Sequence, residues 1–241
     1  MGSRTLGAMT EHASAVTVET EGDVAIIRLD DGKANALSLE LVDALDAALT
    51  DVEHGPAGAV VIAGREGKFS AGFHLPTMQS DRVMELMGKG GRLALRLFEY
   101  PKPVVLAVTG HALAMGAVLL MCADHRVGAD GDYKVGLNEV RIGLPLPPFA
   151  SCLARHRLAP THVTAATGLA TIYRPSDAVE VGFLDEVVPL EKVVSRATEL
   201  AAGWAAELDA TAFAATRGYF RGPITDELRG LVAGANPKER E

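Results

Sequence analysis

The chain has 241 residues, 48% of them apolar and 22% charged, enough to bury a sizeable core without a disulfide or metal staple. Its 31 acidic and 23 basic residues give a net charge of −8, which argues against a general nucleic-acid or membrane-surface binder, because phosphate backbones reward Lys and Arg. A local basic pocket for one phosphorylated ligand stays compatible with that charge. Cys122 and Cys152 form no disulfide framework and read as core thiols of a reducing, cytoplasmic setting. The longest apolar stretch, Pro103 to Ala123, is interrupted by Thr109, Gly110, His111 and Gly116, so it reads as strand, turn and buried helix rather than a membrane span. Residues 1–8, followed by Met9, read as an expression leader.

In chain order, Val16 and Val18, then Val24 to Leu29, read as two strands joined at Gly22-Asp23. Asp30 to Asn35 is a polar loop, Ser38 a helix N-cap, and Leu41, Leu45, Ala48 and Val52 recur at helical spacing until Gly55-Pro56. Ala59 to Ala63 is wholly apolar, as in a strand covered on both faces, which completes a β-α-β unit and favours an α/β fold. Gly64 to Leu75 reads as a Gly-rich loop, and residues from about Ser80 to Glu99 as a helix. Pro101 and Pro103 precede a strand at Val104 to Val108; a turn at Gly110 leads to a helix from about Met115 to Cys122. Short strands follow at His125 to Val127 and Tyr133 to Val135, then a Pro-rich turn at Gly143 to Pro148. From Pro160 onward the pattern is helical, with one apolar interruption at Phe183 to Val188 and a helix opened by Pro189 that runs to about Leu208. No internal repeat stands out.

Three segments carry chemistry. In Val60 to Leu75 a buried strand feeds a loop whose Ala71-Gly72 pair lets a ligand approach the backbone, where free N–H groups can meet an anion or a polarised carbonyl; an ordinary tight turn is the alternative. In Val104 to Asp124 a helix begins near Met115-Gly116, and its first N–H groups, at the positive end of the dipole, suit an oxyanion; the alternative is a helix end capped by the protein itself. In Val135 to Pro148, Glu139 lies among Val, Leu and Ile, which would raise its pKa and suit it to take and return a proton near neutral pH. A Glu paired with Arg141, or exposed on a loop, is the competing reading. His74, His111, His125, His156 and His162 show no metal-ligand spacing, and there is no phosphate-binding Gly-rich loop and no G-x-S-x-G elbow.

Taken together, Asn35 to Ser38 (NALS), Phe69 to Leu75 (FSAGFHL), Pro101 to Gly116 (PKPVVLAVTGHALAMG), Gly136 to Pro148 (GLNEVRIGLPLPP) and Ser176 to Pro189 (SDAVEVGFLDEVVP) resemble the crotonase superfamily, the enoyl-CoA hydratases and isomerases. The resemblance spans Ala15 to Arg221. It implies an α/β fold with a core of ββα units wound as a spiral over residues 9–188 and a helical C-terminal segment, 189–241, used in trimer contacts, so that the expected assembly is a homotrimer or a dimer of trimers. It implies an acyl-CoA substrate, with coenzyme A entering as part of the thioester and no separate cofactor or metal, and no nucleic-acid or membrane partner. The family's oxyanion donors fall on the backbone N–H groups of Phe73 and Met115. Its acyl-CoA contacts fall on Lys33, Ala34, Ala36, Ser70, Ala71, Leu75 and Gly116, with Lys33 suited to a CoA phosphate.

The departures from the family pattern set the expected chemistry. Of the hydratases' two glutamates, the first falls on Val118, which transfers no proton, and the second on Glu139. The usual Gly-Gly-Gly turn is Ala114-Met115-Gly116, the usual Asp of the first motif is His74, and Leu146-Pro147-Pro148-Phe149 replaces a Gly-rich stretch. A single glutamate with an apolar residue at the other position is similar to the Δ3,Δ2-enoyl-CoA isomerase branch. An enoyl-CoA hydratase of fatty-acid β-oxidation and a non-catalytic acyl-CoA-binding homologue are the alternatives. Val193, Leu200, Trp204 and Leu208, with Phe213, Tyr219 and Phe220, form the C-terminal apolar surface, packed on its own subunit or on neighbours.

Overall fold

The computed structural model describes residues 10–12 and 15–234; the leader expected at residues 1–8 lies outside the described residues. The elements run β1 (Thr10–His12), β2 (Val16–Glu21), β3 (Val24–Leu29), α1 (Leu39–His54), β4 (Ala59–Ala63), β5 (Gly67–Ser70), α2 (Leu75–Met78), α3 (Val83–Glu99), β6 (Val104–Val108), β7 (Gly110–Leu113), α4 (Met115–Leu120), β8 (His125–Ala129), β9 (Val135–Gly136), α5 (Pro148–Arg157), α6 (Val163–Ala166), α7 (Pro175–Val181), β10 (Glu186–Val188), α8 (Val193–Glu207) and α9 (Ala210–Gly234). Helix α1 begins where expected because the Ser38 hydroxyl accepts the Leu41 N–H at 3.2 Å, and it stops at Gly55.

A seven-stranded sheet has the order β1-β2-β3-β4-β6-β8-β10. It is antiparallel as far as β3 and parallel beyond it. Alternation along its strands divides the interior. Ile27, Val60, Ile62, Leu106 and Val108 face α1, α3 and α4; Ile26, Val61, Val105 and Val127 face Val193, Ala197 and Ala201 of α8. Both faces are dry, which is why these strands read as continuous apolar runs.

A second, three-stranded sheet, β5-β7-β9, is parallel throughout. Gly64 to Leu75 is therefore not all loop, and Gly110 opens a strand rather than only a turn. These strands are too short and too rich in small residues to show a period. Each long strand β4, β6 and β8 is followed by one of the short strands, so the ββα unit does repeat. Units of unequal length, Ala59 to Val104 against Val104 to His125, hide the repeat in the sequence.

At the C-terminus α8 lies on the large sheet and α9 packs against α3 and α5, with Leu228 and Val232 buried. Arg217 and Arg221 of α9 reach inward to the Asp124 carboxylate. Arg217 also donates to the Tyr100 carbonyl, and Arg221 to the carbonyls of Phe98 at 2.7 Å and Cys122 at 3.2 Å. The own-subunit reading thus holds for Val193, Leu200 and Trp204, whereas Tyr219 and Phe220 are 82% and 60% exposed. No helix among the described residues is long and apolar enough to cross a membrane.

Candidate active site

The small sheet assembles the candidate site. Phe73 lies just beyond the end of β5, Met115 just beyond β7 and Glu139 just beyond β9. Because the strands are parallel, their carboxyl ends share one edge, and with β7 in the middle the outer ends sit about 10 Å apart. Ligands of open α/β sheets gather at such an edge. The pairs Ser70↔Ala112 and Leu113↔Gly136 fix the register, and a shift in pairing between Lys68 and Ser70 re-aims the chain as it leaves β5.

Backbone geometry then frees two donors. Leu37 N–H donates to the Gly72 carbonyl at 2.8 Å and His74 N–H to the Leu37 carbonyl at 3.0 Å, which skips the Phe73 N–H between them. Met115 is the first residue of α4, so its N–H has no partner within the helix, and Ala114 before it supplies no side-chain cap. The capped-helix alternative is thereby set aside. The two loops touch: a Cβ on Gly72 would stand 2.7 Å from the Ala114 Cβ and 3.1 Å from the Met115 nitrogen. Gly72 has φ 91°, so the position needs glycine for both space and backbone. Ala114 itself sits at φ 49°, ψ −124°, a region that costs a non-glycine residue about 1–3 kcal/mol and turns the Met115 N–H into place.

Glu139 is 9% exposed, and its carboxylate is not paired with Arg141, so the paired and loop-exposed readings are overturned. Its carbonyl accepts the N–H groups of Ile142 at 3.0 Å and Leu144 at 3.0 Å, which anchors the turn. Its Oε2 and the neighbouring Asn138 Oδ1 are buried without a hydrogen-bond partner. Burial pushes the Glu139 carboxyl pKa above the ordinary carboxylate range, only partly offset by its backbone hydrogen bond. An orphaned acid with a raised pKa is equipped to move a proton. Val118 is 1% exposed on α4 and offers no second acid.

A cavity of about 420 Å³ is lined by Asp31, Lys33, Ala34, Ala36, Glu40 and His74, the last of these next in the chain to Phe73. Ala71 N–H donates to the Ala34 carbonyl at 3.0 Å, tying the loop beyond β5 to the Lys33 loop. Leu75 is 60% exposed. Ser70 differs from the expected ligand contact: it is fully buried, its hydroxyl donating to the Asn35 carbonyl at 2.7 Å and accepting the Gly72 N–H at 3.2 Å, so it holds the loop. Gly116 is likewise buried, with the Ser70 carbonyl 2.5 Å from where its Cβ would be, and serves close packing. His74 Nδ1 pairs with Thr77 Oγ1 at 3.0 Å, whereas His111 Nδ1 accepts the Lys134 N–H at 2.9 Å and is a structural group.

Two supports escaped sequence reasoning. The Asp31 carboxylate accepts the N–H groups of Lys33, Asn35 and Ala36 at 2.7, 2.9 and 3.3 Å. The Asn35 amide, fully buried at φ 50°, donates to the carbonyls of Leu29 at 2.8 Å and Phe69 at 3.2 Å, tying the Lys33 loop to β5. A polar loop containing Asp and Asn was the only sequence signal for either.

Comparison with known proteins gives the family. The enoyl-CoA hydratase/isomerase family model matches residues 19–229. The chain is 33% identical to mitochondrial enoyl-CoA delta isomerase 1 of Mus musculus over 79% of this chain and 69% of that protein. It is 34% identical to a putative enoyl-CoA hydratase of Thermus thermophilus over 75% of this chain and 74% of the relative. The solved structure of an enoyl-CoA isomerase from Mycobacterium tuberculosis superposes with a TM-score of 0.88 at 40% identity, covering 92% of this chain and 97% of that one. With its two sheets, its strand-end site and this match over most of its length, the chain belongs to the enoyl-CoA hydratase/isomerase family of the crotonase superfamily.

Proposed function

We propose that the protein is a Δ3,Δ2-enoyl-CoA isomerase in which Glu139 is the single acid–base group. The observation that carries this reading is one buried, unpaired carboxylate at the strand edge, with Val118 where a second acid would be needed to handle water. The Glu139 carboxylate takes a proton from C2 of a 3-enoyl-CoA. The C2–H electron pair spreads through the C3=C4 bond and the thioester carbonyl as a dienolate. The Phe73 and Met115 N–H groups hold the developing oxyanion, each such donor contributing about 10²–10³ in rate. The Glu139 carboxylic acid then gives its proton to C4, the C2=C3 bond forms, and enzyme and atom count return unchanged. No water, redox partner or separate cofactor enters this sequence.

Lys33, Ala34 and Ala36 line the cavity that would take the CoA portion, with Ala71 in the loop that ends at His74 on its wall and Leu75 next after it; Ser70, bonded to Asn35 and packed on Gly116, holds that loop. The exposed Tyr219 and Phe220 on α9 support a trimer-based assembly, and the two buried, unbridged thiols fit a cytoplasmic protein. The test is a paired assay of the wild type and Glu139→Gln with a 3-enoyl-CoA and, separately, a 2-enoyl-CoA. Conjugation should be rapid in the wild type and fall roughly 10²–10⁴-fold in the variant, with hydration absent from both. Hydration of the 2-enoyl-CoA at a rate matching conjugation would make the protein a hydratase. Binding without either reaction would make it a non-catalytic acyl-CoA carrier.

A further inference from the structure

Glycine inside a helix is unfavourable relative to alanine, yet α3 contains Gly88, Gly90 and Gly91. Their surroundings differ. A Cβ at Gly88 would meet only the flexible end of Arg92, at 3.4 Å. One at Gly91 would meet Val232 at 3.3 Å and Phe149 at 3.4 Å, on the side of α9 and α5. One at Gly90 would stand 2.3 Å from Cζ and 2.4 Å from Cε1 of the Phe73 ring, and 3.7 Å from the Met115 methyl. A single helix position therefore faces the side chains of both residues whose N–H groups are the proposed oxyanion donors.

We propose that Gly90 is a positioning residue for these donors: the space left by its missing side chain seats the Phe73 ring beside Met115 and so sets where the two N–H groups point. The inference rests on the oxyanion role given to Phe73 and Met115. A methyl group at 2.3 Å must be relieved by moving the helix or the ring. Helix α3 is held by Leu86, Leu93, Ala94, Leu97 and Phe98, all buried, whereas Phe73 is half-buried on the loop beyond β5. The ring gives way first. Its backbone is gripped on both sides by Leu37, so displacing the ring twists the peptide that carries the donor N–H. Sequence reading passes over Gly90 because nothing local distinguishes it from Gly88.

The experiment reads the thioester carbonyl directly. Wild type, Gly88→Ala, Gly90→Ala, Gly91→Ala and the double variant Phe73→Leu/Gly90→Ala are each saturated with butanoyl-CoA carrying ¹³C at the carbonyl. Difference infrared spectra then report how far the bound C=O stretch is lowered, alongside kcat and KM for 3-enoyl-CoA. Gly90→Ala should lose most of the shift and about 10²-fold in kcat with a small change in KM, as for removal of one oxyanion donor. Gly88→Ala and Gly91→Ala should keep both. The smaller leucine of the double variant should restore part of the shift and of kcat. Gly90→Ala that keeps the shift and turnover overturns the proposal, as does a double variant no better than Gly90→Ala, whether folded or not. If the wild type itself shows no lowering of the stretch, the oxyanion reading fails and the proposal falls with it; if only the Gly90 variants behave like wild type, the oxyanion reading stands alone.

Discussion

On the proposed mechanism Glu139 carries both a function and a cost. Its pKa is raised by burial, so the native state binds its proton more tightly than the unfolded chain does. Stability therefore falls as pH rises from the ordinary carboxylate range through the raised value, where the unfolded state has already released its proton. Glu139→Gln removes that loss. The variant's melting temperature should match the wild type near about pH 4 and exceed it near about pH 8, and a constant difference across that range would contradict the assignment. Catalysis needs the ionised form, so the acid limb of kcat/KM should lie above the ordinary carboxylate range and follow the same group. The apolar neighbours of Glu139 flagged it in the sequence, but only the family resemblance of Gly136 to Pro148 set it above a paired or loop-exposed glutamate. Asn35, Asp31 and Gly90 were not legible, because each acts through partners that only the fold brings near: Phe69 for Asn35, three backbone N–H groups for Asp31, and the Phe73 ring for Gly90.

At the scale of elements, the large-sheet strands Val24–Leu29, Ala59–Ala63 and Val104–Val108 were legible to the residue, since burial on both faces forces apolar runs, broken in these three only by Arg28. The small sheet was not, because β5, β7 and β9 are defined by register rather than composition, yet it is what aligns Phe73, Met115 and Glu139. The long α9, with Pro223 inside it, is held by an apolar stripe at Ile224, Leu228, Leu231 and Val232 and, before the proline, by a polar device. Asp124 bonds to both buried guanidiniums of α9 and also accepts the Val104 N–H at 2.8 Å. Burial pushes the pKa of both arginines down, and the Asp124 carboxylate opposes that shift. Asp124→Ala leaves two buried cations without their partner and should cost about 3–5 kcal/mol in urea unfolding, with hydrogen exchange rising first in α9. A loss under about 1 kcal/mol, typical of surface pairs, would show that α9 is held by packing alone.

For the whole molecule, the ββα units and the C-terminal helices together leave one aromatic pair, Tyr219 and Phe220, in solvent on α9. Light scattering should give three or six times the 25.3 kDa of a single chain, and a monomer would remove the assembly from this account. The central claim is that one carboxyl group carries one proton from C2 to C4. It is tested most directly with a 3-enoyl-CoA bearing deuterium at C2, turned over in ordinary water, with the product's C4 examined by mass spectrometry and NMR. Deuterium is expected at C4 of the 2-enoyl-CoA formed during single turnover. Label found only in solvent, or a 3-hydroxyacyl-CoA in place of the conjugated product, would contradict it.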